Sequence, residues 1–154
     1  MTYQLLSGNA LLSNTVSGRI YPEARAQVQP TTQIGLLPAI IFSVNEDEPD
    51  VALTTGAINF YAGIVEVLVM ATTAKTAAEV GLLVLPVLHN RKNVEVAGGG
   101  SGPTPDTSVI MFSRLQKQLT GYVAPQNGEA TGVFTHSMLF RVMYYEKPDN
   151  SQPQ

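Results

Sequence analysis

The run NFYAGIVEVLVMA, Asn59 to Ala71, decides the fold. It is rich in β-branched and aromatic residues and has no proline, which favours an extended strand. Alternation puts Tyr61, Val65, Val67, Val69 and Ala71 on one face, with Gly63 among them. Phe60, Ala62, Ile64, Leu68 and Met70 fall on the other, broken by Glu66. Both faces are mostly apolar, so the strand is expected at the centre of a sheet and covered on both sides. The expected covers are a helix on one side and a neighbouring subunit on the other.

The flanks supply the rest of the sheet. Downstream, Thr73 to about His89 reads as a helix. Thr76 and Glu79 have capping-box spacing, the first turns are alanine-rich, and Pro86 must kink or end the segment. Upstream, Leu36 to Val44 reads as a strand, with Pro38 tolerable only near its start. Asn45 to Asp50 is an acidic turn. The N-terminal Thr2 to Ser13 carries leucines at helical spacing, with Thr2 as its N-cap and Gly8-Asn9 as a weak point. Ser17-Gly18 stops it, and Arg19 to Pro22 is a short extended piece.

Beyond the glycine-rich stretch Gly98 to Pro105, Ser108 to Arg114 is a third strand, with Val109, Met111 and Ser113 alternating against Ile110 and Phe112. Leu119 to Val123 either extends it or pairs with it. Asn127-Gly128 marks a reversal. Val133 to Tyr145 is the last strand, apolar at Phe134, Met138, Phe140, Val142 and Tyr144 and more polar at Thr135, Ser137 and Arg141. Strands without regular β-α-β alternation point to α+β: a mixed, mainly antiparallel sheet with two helices packed on one face. Residues 1–146 form one expected domain, and 147–154 a polar tail.

Composition narrows the function. Of 154 residues, 44% are apolar but only 14% charged, so much of the surface is weakly polar or buried against neighbours. The net charge of -3 argues against gripping phosphates. There is no cysteine, hence no disulfide framework and no thiol nucleophile. Met1 to Leu12 lacks the basic start of a signal peptide, and Val80 to Leu88 is too short to span a bilayer, so no membrane role is expected.

Catalytic and ligand-binding patterns are sparse. His89 reads as a helix C-terminal residue favouring the dipole, and His136 as a structural strand residue. Two histidines and no cysteine make a zinc site improbable. Glu46, Asp47, Glu48 and Asp50 could attract calcium but lack the EF-hand ligand order, so a solvated loop is the better reading. Gly98, Gly99, Gly100, Ser101 and Gly102 resemble a phosphate loop only superficially, because no Lys-Ser/Thr pair follows and Pro103 and Pro105 block a helix start. They read as a linker. No cofactor is expected.

As an ordered series, Leu5-Leu6, Leu11-Leu12, Ser17-Gly18-Arg19-Ile20-Tyr21-Pro22, Leu37-Pro38-Ala39-Ile40-Ile41-Phe42, Tyr61 to Met70, Ala77-Ala78-Glu79 and Leu139-Phe140-Arg141-Val142 resemble the tail terminator and tail-completion proteins of siphophages. The likeness runs from about Tyr3 to Tyr145, and the insert around Gly98 to Asp106 departs from it. It implies an α+β fold and a homohexameric ring at the head-proximal end of the tail in the virion. Its partners would be the tail tube protein and the head-completion protein, with DNA passing through the lumen. It makes the Glu46–Asp50 group a candidate lumen or docking loop, and the Gly98–Gly102 group a candidate flexible docking loop. A head–tail connector of the same fold is the near alternative. A small enzyme or ligand-binding module with a pocket around Glu66 or His136 is the distant one.

Overall fold

A computed structural model describes residues 2–22, 36–46, 60–97, 107–125 and 131–146. Its elements are α1 (Thr2–Gly8), α2 (Ala10–Thr15), β1 (Ile20–Pro22), β2 (Ala39–Glu46), β3 (Phe60–Ala71), α3 (Ala74–Leu88), β4 (Val94–Ala97), β5 (Thr107–Val123) and β6 (Val133–Glu146). The strands form one six-stranded sheet in the order β1-β2-β3-β6-β5-β4. Only β1 and β2 pair in parallel; the other pairs are antiparallel. The fold is the α+β class with the mixed sheet expected, and β3 is central within it.

The core lies on the helix side. Val65, Val67, Val69 and Ala71 of β3 are buried there, beside Met138, Phe140, Val142 and Tyr144 of β6. Helix α3 answers with Ala77, Val80, Gly81, Val84, Val87 and Leu88, a single stripe at 3.6-residue spacing. Leu6, Leu12 and Val16 complete the cluster from the N-terminal segment. Fully burying side chains of this size is worth about 1.5–3 kcal/mol each.

The single N-terminal helix expected from Thr2 to Ser13 is two helices. Asn9 is extended and accepts a hydrogen bond from Leu12 N through its side chain, so it caps α2 and interrupts α1. After α2, Gly18 N donates to Ser13 O and Ser17 N to Asn14 O, the paired bonds of a Schellman motif, with Ser17 at φ 51°. The cap of α3 is Thr73, whose hydroxyl accepts from Thr76 N at 3.1 Å; the Thr76–Glu79 spacing plays no capping role. Pro86, expected to kink or end the helix, lies inside it, and α3 continues to Leu88.

Three strand boundaries differ from the sequence reading. β2 runs on through Asn45 and Glu46. β4 has no counterpart in that reading, because four residues carry too short a pattern to register. β5 is one 17-residue strand, with irregularities between Ile110 and Phe112 and between Leu115 and Lys117. A bulge inserts a residue and shifts the parity of the rest of the strand. Thus Ile110 and Ser113 face the core while Met111 is exposed, which simple alternation does not foresee. The 147–154 tail lies outside the described residues.

Candidate interaction surface

The strand pleat that buries one face of β3 and β6 presents the other. On β3 that second face carries Ile64, Glu66, Leu68 and Met70, and on β6 it carries Ser137, Leu139, Arg141 and Met143. All are half-buried or exposed, and no described helix covers them. The helix side therefore has its expected cover, and among the described residues nothing covers the opposite side.

Two rungs cross this face. One runs Ser43–Glu66–Leu139–Lys117, the next Asn45–Ile64–Arg141–Arg114. Glu66 accepts a hydrogen bond from Ser137 Oγ at 3.1 Å. Arg114 and Arg141 stand directly opposite one another across β5 and β6, both exposed, and neither has an ion-pair partner among the described residues. Like charges directly opposite in an antiparallel ladder repel, so this pairing lowers the stability of the isolated sheet.

An open sheet edge adjoins the face. β4 pairs with β5 only over residues 107–110, and Arg91 bridges Ser113. From Leu115 to Val123 no described strand lies on the outer side of β5. Leu119 is 52% exposed and Tyr122 56% exposed along it. The Tyr122 ring packs on Phe134, with centroids 4.8 Å apart, and lies over Gly132, where any Cβ would collide with it. An unpaired edge bearing apolar side chains is a template for another chain.

Of the residues singled out from the sequence, Glu46 is the last residue of β2, and Asp47, Glu48 and Asp50 lie outside the described residues. Gly98, Gly99, Gly100, Ser101 and Gly102 lie outside them too. His89 caps α3, and its Nδ1 accepts from Leu115 N at 3.0 Å, which ties the helix end to β5. The cation at the helix end is Arg91, whose Nε donates to Val87 O at 2.9 Å.

His136 is buried under α3, where the absence of a side chain at Gly81 admits its ring: a Cβ there would sit 2.8 Å from His136 Cδ2. Burial holds its pKa below the usual histidine value. Nδ1 is buried without a hydrogen-bond partner among the described residues. The ring borders an open cleft of about 350 Å³ with Ala77, Thr120, Tyr122 and Thr135. Among the described residues no carboxylate lines that cleft to orient the imidazole as a base, and Glu66 is on the opposite side of the sheet. The described residues hold no group of three His, Cys, Asp or Glu able to bind a metal ion. The open face and edge are foreshadowed by the doubly apolar β3. The arginine pair is not, because its members are 27 positions apart and only the register joins them.

No protein-family model matches the sequence, and no curated protein matches it. Among solved structures, a chain from the virion of a native gene transfer agent particle is similar in fold, with a TM-score of 0.58 and 19% sequence identity. The match covers 93% of this chain and 90% of that one, so the likeness is one of the whole α+β fold.

Proposed function

We propose that this chain is a structural virion protein, without catalytic activity, that forms a ring capping the tail tube and joining it to the head-completion protein. The observation that carries the reading is the end-to-end fold likeness to a chain of a virion particle. The sheet face and the β5 edge that no described element covers agree with it, since a ring subunit needs two different surfaces for head-to-tail contact. The motif series from Leu5 to Val142 favours the tail terminator over other virion positions. On this reading the subunits form a homohexamer at the head-proximal end of the tail, and DNA passes through the lumen without specific contacts.

Electron-microscopy reconstruction of particles carrying this chain tests the proposal. The expected result is sixfold density for the chain between the tail tube and the head-completion ring. Density elsewhere in the particle removes the terminator reading, and absence from the particle removes the structural reading altogether.

A further inference from the structure

The open sheet face carries charges of both signs, and their order across the strands is complementary to its own reverse. From β2 to β5 one rung reads Asn45–Ile64–Arg141–Arg114. The next reads Ser43–Glu66–Leu139–Lys117, and the one after it Ile41–Leu68–Ser137–Leu119. The cations stand on β6 and β5, and the carboxylate of Glu66 stands on β3, diagonal to Arg141. Ser137 holds Glu66 Oε1 from the diagonal away from Arg141. Arg114, Lys117 and Arg141 have no ion pair among the described residues.

The mixture selects the kind of partner. A phosphate backbone gains nothing from Ile64, Leu68, Leu119 and Leu139 and is repelled by Glu66, and three cations are few for nucleic acid. A protein surface gains from all of them, since contact patches combine arginine with apolar side chains. Of the other carboxylates whose side chains are described, Glu79 is paired with Lys75 and Glu95 is engaged within the chain. Glu66 is the described carboxylate with capacity left, and it lies on the same face as the cations.

We infer that this face is the contact surface for a second copy of the chain, packed face to face with Glu66 of each copy beside Arg141 of the other. The arrangement is that of a β-sandwich, with the two sheets about 10 Å apart. A two-fold axis in the plane of contact, parallel to the strands and between β3 and β6, sets each rung against its own reverse. Arg114 of one copy then lies over Asn45 of the other, Lys117 over Ser43 and Leu119 over Ile41. Such an isologous contact closes at two chains. The face is about 14 Å wide over three strand spacings and about 20 Å long from Ile64 to Met70. That is small for a specific interface, so the dimer dissociates on dilution. The inference does not rest on the ring reading. Where that reading holds, the dimer is a holding state that assembly at the tail must open.

Sedimentation equilibrium of the purified full chain tests this, with the wild type, Arg141→Glu, Glu66→Arg and the double variant Glu66→Arg/Arg141→Glu. Melting temperatures within a few degrees of wild type show that each folds. Arg141 is exposed, so Arg141→Glu probes the contact even where Glu66→Arg does not fold. The wild type is expected to pass from monomer to dimer with concentration and to stop there. Each single variant sets like charges against each other across the axis and is expected to associate at least about tenfold more weakly. The double variant restores opposite charges at both sites and is expected to dimerise again, as is an equimolar mixture of the two single variants.

A wild type that stays monomeric up to millimolar concentration overturns the inference. So does association that runs past the dimer, or an Arg141→Glu chain that associates as the wild type does. A double variant that folds and stays monomeric overturns it as well. Binding of duplex DNA that is lost in Arg141→Glu while self-association persists assigns the face to DNA and also overturns it. A sixfold ring in the virion with a free chain that never dimerises refutes this contact and leaves the proposed function standing. A dimer formed through this face by a chain absent from virions does the reverse.

Discussion

Arg141 on β6 lies directly opposite Arg114 on β5, and Glu66, diagonal to Arg141 on β3, is bonded instead to Ser137. Among the described residues the pair therefore has no carboxylate partner. Replacing Arg141 with threonine, a good strand former, is expected to raise the stability of the isolated chain by about 0.2–1 kcal/mol. Urea denaturation of the two proteins measures it. A loss of stability on substitution means that the pair is compensated within the chain.

Gly81 sits in the middle of α3, where alanine would ordinarily gain about 1 kcal/mol in helix propensity. Here the added methyl meets the His136 ring, and overpacking of this kind costs about 1–3 kcal/mol. Gly81→Ala is expected to destabilise on balance. In a His136→Ala background the same change is expected to become neutral or stabilising. The double-mutant cycle isolates the contact, and additive effects would show that the two residues do not press on each other.

His136 also makes stability depend on pH. Its folded pKa is lowered by burial from the ordinary value near 6.5, so between the two values the unfolded chain binds the proton and the folded chain does not. Stability is full above about pH 6.5 and falls as pH drops through the lowered folded value. Melting temperatures of the wild type and His136→Phe across that window are the check. The variant is expected to show a shallower decline, and parallel curves would assign the acid sensitivity elsewhere.

The strands that carry the core are legible in the sequence because pleating converts alternation directly into burial. In β6 the even positions Met138, Phe140, Val142 and Tyr144 are buried and Arg141 is exposed, as their types dictate. β3 is legible for the same reason, down to its open second face. The features that escape a sequence reading depend on single backbone events. Asn9 cuts the N-terminal helix through one side-chain hydrogen bond, and the bulge at Met111 reverses the parity of β5. The arginine pair escapes because a cross-strand neighbour exists only once the register is known. The acidic and glycine-rich candidates lie at or beyond the described strands, so their part in docking stands as a proposal.

The two faces of β6 differ in what they stabilise, and neighbouring residues can separate them. Phe140 is fully buried against α3, and Phe140→Ala is expected to cost about 3–5 kcal/mol in the isolated chain. Leu139, the adjacent residue, lies half-buried on the open face between Glu66 and Lys117. Leu139→Ala leaves no enclosed cavity, and its cost in the isolated chain is expected to stay below about 1.5 kcal/mol. The order reverses for assembly. If a second copy covers the open face, Leu139→Ala weakens self-association at unchanged fold, because a side chain desolvated only on association contributes only there. Denaturation and sedimentation on the same two variants give both readings. Equal losses of folding stability would put the strand register in error, and a Leu139→Ala chain that associates like the wild type would leave the open face uncovered in the assembly.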